Sequence, residues 1–365
     1  LEEAVNSYTK TYMAGNQALG RNLDANAMRN HFYRFPGVDN DKDKTLSAML
    51  RMAVIAQTQE RYEKAPTETD EQRAEKAALE GLVKQLFVEL KRDFKPSDLP
   101  PYTLVKLGVH LANTSQPEES IAYFDEILDP SEPDPVRKKA RINGMSKYRK
   151  NAVFGKAVAL GRSKDNAKVE TAIKMMKDEL SKEESSANPD RKAMEDAQYN
   201  LVKFTSARQD WPSVIAAADK YRENKSYKKN LPEVLYLQGE AYLKQNELDK
   251  ALINFMNITG TYKGLVKWSA PAVLAQMDTL WKRNTMSQGA GKQPSDRYIA
   301  WKAGSQYVQL LDTPANRKKM TAEDSALVNE VKDKTAKFGS DPAVSQERAD
   351  IAAYEAAIRA AKGQK

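Results

Sequence analysis

Apolar residues recur at three- and four-residue steps along almost the whole chain, with polar residues between them. That period belongs to amphipathic helices, and the alternating β-branched runs of strands are missing. Residues 69–94 show the pattern in full. Pro66 stops what precedes, Thr69 and Gln72 are spaced as a capping box, and Leu79, Leu82, Leu86, Leu90 and Phe94 draw one apolar stripe before Pro96 ends it. The same pattern predicts helices over 45–61, 102–113, 118–128, 136–149, 168–180, 191–208, 213–222, 232–244, 248–258, 266–283, 295–311, 322–338 and 342–362.

The turns at 113–116 and 245–247 are short, which makes their flanking helices antiparallel neighbours. Looser segments fall at 37–44, 182–189 and 287–295. The last contains Gly289-Ala290-Gly291 and is the candidate mobile loop. Ser340 or Asp341 caps the final helix, with Pro342 at its first position, and Val344, Ile351 and Ile358 form a narrow seam suited to a neighbour. An all-α fold is expected, with an N-terminal helical region over 1–95, a repeat core over 96–285 and capping helices over 286–365.

Two windows are self-similar beyond being helical. Leu104, Leu107, Gly108 and Leu111 precede Ser120, Phe124 and Ile127; Leu235, Gly239 and Tyr242 precede Ala251, Phe255 and Ile258. From glycine to small residue to phenylalanine the offsets are identical. A glycine at that point lets two helices nest, with Ser120 and Ala251 as the matching small residues and the phenylalanines filling the space around them. This spacing resembles the tetratricopeptide repeat, a helix–turn–helix unit of about 34 residues. Weaker copies carry Val169, Ala172, Ile173 and Met176, and Trp211, Val214, Ile215 and Ala218. The small position then falls at 120, 172, 214 and 251, wider than the family period, so extra helices are expected between units.

The resemblance implies a right-handed α-solenoid whose first helices line a concave groove. Position by position, it places Tyr102, Val105, Val109 and Asn113 there, then Asp196, Tyr199 and Lys203, then Glu233, Tyr236, Glu240, Leu243 and Lys244. Of these, Tyr199, Lys203, Glu233, Tyr236, Glu240 and Lys244 are the expected partner-binding residues. Some members of the family hold a peptide carboxylate with Lys and Asn at positions occupied here by Val105 and Val109, or by Tyr236 and Glu240. That clamp is absent, and an extended or helical segment of a protein partner is the better fit. The family analogy points to a scaffold or adaptor in assembly or secretion at a bacterial cell envelope, with a periplasmic location expected and a cytoplasmic one the alternative.

Composition narrows the chemistry. Among 365 residues, Lys+Arg 58 outweigh Asp+Glu 50, giving +8. Basic runs stand at Arg137, Lys138, Lys139 and Arg141, at Lys147, Arg149 and Lys150, at Lys225, Lys228 and Lys229, and at Arg317, Lys318 and Lys319. Solvated faces account for such runs; an anionic surface or a glycan is the alternative partner. No aromatic-studded RNA motif accompanies them, which disfavours nucleic acid. No apolar stretch is long enough to span a membrane. Residue 1 is Leu, which suggests a processed chain.

The absence of Cys removes disulfides, thiolate ligands and thiol nucleophiles. His31 and His110 have no evident partners and read as structural. Asp39, Asp41 and Asp43 open like a calcium loop, but Lys44 and Leu50 replace the required Gly and Glu. Gly289-Ala290-Gly291-Lys292 lacks the Ser or Thr, and the preceding strand, of a phosphate-binding loop. The Glu119-Ser120 and Glu184-Ser185 pairs lack the residues that should follow in a glycan-cleaving enzyme of helical type. No catalytic residue, metal or cofactor is expected, with a glycan-cleaving enzyme the remaining alternative.

Overall fold

The computed structural model describes residues 2–18, 31, 44–67, 69–114, 116–289, 293–317 and 320–363. Among them there are helices and connections and no strand. In chain order the helices are α1 (Glu2–Ala18), α2 (Lys44–Lys64), α3 (Asp70–Asp93), α4 (Pro101–Asn113), α5 (Pro117–Leu128), α6 (Pro135–Met145), α7 (Arg149–Gly161), α8 (Asn166–Glu184) and α9 (Arg191–Ala207). Then follow α10 (Trp211–Glu223), α11 (Leu231–Lys244), α12 (Leu248–Thr261), α13 (Val266–Arg283), α14 (Asp296–Leu311), α15 (Pro314–Arg317), α16 (Ala322–Gly339) and α17 (Pro342–Gly363). The chain divides into two compact units, Leu1–Met175 and Met176–Lys365.

In both units consecutive helices pack as pairs, a solenoid-like arrangement. The second unit runs α9–α10, α11–α12, α13–α14 and α16–α17, and each second helix packs on the first helix of the pair that follows. First helices of consecutive pairs also touch: α9 on α11, α11 on α13, α13 on α16. The turns within the first two pairs are built alike. Gln209 and Asn246 take left-handed φ of 56° and 61°. Asp210 N donates to Thr205 O, and Glu247 N donates to Tyr242 O. The equivalence of those hydrogen bonds is a repeat seen in backbone geometry rather than in side chains.

In both units a glycine notch takes an aromatic ring. A Cβ built on Gly108 would stand 2.8 Å from the Phe124 ring, and one on Gly239 would stand 2.6 Å from Phe255. Ser120 and Ala251 are fully buried, but the nearest atoms at each notch belong to the phenylalanine. Gly155 of α7 also closes on the Phe124 ring, nearer still. The ring is thus held between its own pair and the next helix. Leu86, Leu90, Leu104 and Leu107 complete the core around it.

Three features differ from the sequence expectation. The segment expected as one helix over 136–149 ends at Met145, turns through Ser146–Tyr148 and restarts as α7. Helix α7 buries Ala152, Gly155, Ala157 and Ala159 with Val153 and Leu160, and those two larger residues alone draw no apolar stripe in sequence. Helix α1 is also additional: its buried Val5 sits in a run of polar residues that masks the period. The seam on α17 is buried at its start, half-buried at Ile351 and exposed at its end. Val344 is fully buried, whereas Ile358 is exposed.

The expected capping box of α3 is present. Gln72 N donates to Thr69 Oγ1 at 3.2 Å, and Thr69 N donates to Gln72 Oε1 at 3.1 Å. Asp341, rather than Ser340, caps α17, accepting from Ala343 N at 3.0 Å and Val344 N at 3.3 Å. Thr69→Ala is expected to cost the first unit about 1 kcal/mol, seen as a lower urea midpoint by far-ultraviolet circular dichroism.

Candidate functional site

The residues expected to line a groove lie on two first helices of the second unit, α9 and α11. Helix α9 is set by its cap, Asp190 accepting from Lys192 N at 3.1 Å and Ala193 N at 3.0 Å, and α11 opens with Pro232 at its second position. Their buried flanks carry Ala197, Leu201 and Val202, and Val234, Leu235 and Ala241. Tyr199, Lys203, Glu233, Tyr236 and Glu240 are left half-buried at the edge of that packing, and Lys244 is exposed.

Three of the six expected residues meet across two first helices. Tyr199 Oη of α9 donates to Glu233 Oε2 of α11 at 2.5 Å. Lys203 Nζ stands 3.5 Å from Glu233 Oε1 and 5.3 Å above the Tyr199 ring. The other three share one strip of α11 at one-turn intervals. Tyr236 lies 5.8 Å from the Phe255 ring, and burial, then the Glu240 carboxylate, pushes its phenol up to about 12. Burial also pushes the Glu240 carboxyl up, against the hydrogen bond from Tyr236 and the charge of Lys244. Glu330 of α16 adds to the field at Tyr236. Nothing in the sequence marks Glu330, because α16 lies outside both repeat windows.

The equivalent positions of the first unit do not form such a strip. Val105 is buried in the core rather than on the face, Tyr102 is half-buried, and Val109 and Asn113 are exposed. Asp196 is half-buried, and burial raises its carboxyl against Lys229 and Lys192.

The remaining candidates have structural surroundings. His110 stacks on Phe87 at 3.9 Å, and burial, then Lys84, lowers its imidazole pKa, which keeps it neutral. His31 stacks on Tyr12 at 3.9 Å and hydrogen-bonds Tyr8 Oη at 3.1 Å. Glu119 pairs with Lys91, while Ser120 Oγ donates to Pro117 O at 2.6 Å. Glu184 pairs with Lys220 at 3.2 Å. Asp39, Asp41 and Asp43, and Ala290 to Lys292, lie outside the described residues, as do Lys318 and Lys319. Among the described residues no three His, Asp or Glu side chains converge as metal ligands, and no helix is long and apolar enough to cross a membrane.

The basic run on α6 and beyond is partly spent on the fold. Lys138 pairs with Asp129 at 2.6 Å, Arg141 pairs with Glu126 at 3.0 Å, and Arg149 donates to Leu128 O at 3.4 Å. Lys225, Lys228 and Lys229 are exposed.

Compared with protein-family models, with curated proteins and with solved structures, the chain matches none.

Proposed function

We propose that the chain is a non-catalytic protein-interaction scaffold or adaptor of tetratricopeptide type. It holds a segment of a partner protein along the inner face of its second unit, in cell-envelope assembly or secretion. The observation that carries this reading is the Tyr199–Glu233 hydrogen bond, which joins residues expected for the groove from two separate repeats. Tyr199, Lys203 and Glu233 engage one another and stiffen the face. Tyr236, Glu240 and Lys244 then offer a partner a half-buried ring, a desolvated carboxylate and an exposed cation along one helix. A helical or extended segment with apolar and charged side chains matches that strip. The envelope location rests on family analogy.

The test is cross-linking and capture of the full chain in its native cells, with quantitative mass spectrometry. Tyr236→Phe is preferred to removal of the ring, which packs on Phe255. Tyr236→Phe with Lys244→Glu is expected to lower partner recovery about fivefold or more, the loss of roughly 1 kcal/mol of contact. Ile253→Glu, on an exposed position of the second helix α12, is expected to leave recovery intact. Equal recovery in the groove variant would remove the groove from the interface.

A further inference from the structure

In an array of helix pairs the first helices run parallel, so connections between pairs share one edge and turns within pairs share the other. In the second unit these edges differ in charge. The turns Arg208-Gln209-Asp210 and Gln245-Asn246-Glu247 balance a cation with an acid or carry an acid alone. The connections between pairs carry Lys225, Lys228 and Lys229, then Lys263, and Lys267 follows in the first turn of α13; all five are exposed.

The first connection is built, not loose. Tyr227 is buried with its ring 5.2 Å from that of Tyr221, and Asn224 Oδ1 accepts from Ser226 N at 3.1 Å and Ser226 Oγ at 2.7 Å. That anchoring holds the lysines outward. Arg191 and Lys192, at the start of α9, are near enough to be felt here together with acids: burial, then Glu195 and Glu184, raise the Tyr227 phenol against Asn224 and Arg191, and burial raises the Asp196 carboxyl against Lys229 and Lys192. The neighbouring carboxylates are hydrogen-bonded, Glu195 by Tyr221 Oη at 2.7 Å, Glu184 by Lys220 at 3.2 Å and Asp190 by the backbone of α9, which fixes them inward of the lysines without removing their charge. Glu223 is the exposed acid beside them.

The second connection adds an apolar tip. Leu265 is 52 % exposed there, between Lys263 and Lys267, and Lys267 Nζ lies 5.4 Å above the ring of the half-buried Trp268. An acidic polypeptide or a nucleic acid would use the cations and leave the leucine wet. A surface that is anionic outside and apolar just beneath uses both. We infer that this edge of the second unit docks peripherally on an anionic lipid bilayer, with the lysines at headgroup level and Leu265 in the interface. The site adjoins the groove at Asp196 but contains none of the six expected partner-binding residues, so different variants test the two.

The experiment is flotation of the full chain with vesicles of phosphatidylcholine alone or mixed with phosphatidylglycerol. Binding is expected to the mixed vesicles only, and to fall at least about tenfold as ionic strength rises from about 0.05 to 0.5 M. Lys225→Glu with Lys228→Glu and Lys229→Glu is expected to lower partition at least about tenfold, since each cation near such a surface contributes roughly fivefold. Leu265→Ser is expected to lower it several-fold while leaving the urea midpoint unchanged. Soluble glycerol phosphate or inorganic phosphate in millimolar excess is expected not to compete; competition would point to a free-phosphate site and overturn the bilayer assignment. Tighter binding to polyglutamate, indifferent to Leu265→Ser, would assign the edge to an acidic polypeptide instead. Equal partition into neutral vesicles, or none into anionic vesicles at low salt, would end the proposal.

Discussion

Phe124→Ala is expected to destabilise the first unit by about 3–5 kcal/mol, measured as a shift of its urea unfolding midpoint. The ring is fully buried, with the backbone of Gly108 and the backbone of Gly155 both against it. Both walls are backbone, which cannot collapse into the space as side chains would. The cost should therefore fall toward the upper part of that range. The converse change tests the same geometry. Gly155→Ala would place a methyl against a ring that has no room to retreat, and overpacking of this kind costs about 1–3 kcal/mol, more than the helix propensity gained. Gly81→Ala and Gly144→Ala meet nothing within 4 Å and should stabilise by up to about 1 kcal/mol. If Gly155→Ala behaved like Gly81→Ala, the slot would not be what holds the ring.

Arg283→Met should cost the second unit about 3 kcal/mol or more, because it leaves a buried carboxylate without its cation. Asp296 is fully buried. It accepts from Arg283 Nε at 2.8 Å, from Arg283 Nη2 at 2.6 Å and from Thr285 N at 2.8 Å. Arg283 Nη1 also reaches Asp249 at 2.5 Å, so one guanidinium joins α12, α13 and the start of α14. Burial pushes the Asp296 carboxyl up, but the hydrogen bonds from Arg283 and Thr285 outweigh it and hold the carboxyl below its ordinary value. Stability from this group is therefore present at neutral pH and is lost as pH falls through the ordinary Asp range, about 4, toward the lower folded value. Without Arg283, burial is the larger influence and the folded carboxyl rises. The variant then recovers stability as pH drops and the buried acid takes up a proton. The gap between parent and variant in urea midpoint should narrow as pH falls from neutral toward the ordinary Asp range. A gap that stays constant or widens would mean that Asp296 is not the group responsible.

The periodic grammar of the chain carried the helices that bury large side chains. The α3 stripe, its capping box at Thr69 and the Gly–Phe pairs at 108/124 and 239/255 were legible because each rests on residues close in sequence. Helix α7 was not legible. Its buried face is mostly alanine and glycine, with Val153 and Leu160 too few to mark a stripe, and Gly155 serves to let Phe124 come close, a partner a long way back along the chain. The same applies to the candidate face. Its six residues follow from the repeat position of each one, yet the Tyr199–Glu233 bond, which divides them into an engaged trio and an offered trio, depends on how two pairs stack. The basic run at Lys225, Lys228 and Lys229 looked like any solvated loop until the fold brought Arg191 and Lys192 beside it and put Lys263, Leu265 and Lys267 on the next connection of the same edge. Sequence spacing sets what an individual pair contains; the company it keeps is a property of the stack.

One consequence of the Phe124 slot concerns how the first unit breathes. A ring gripped by one pair and the helix after it is unseated if either of them opens, so neither the pair over 101–128 nor the helix Arg149–Gly161 can fray on its own account. The smallest piece that comes apart here is longer than a single hairpin, and partial opening from the middle is suppressed in favour of staying shut or melting as a block.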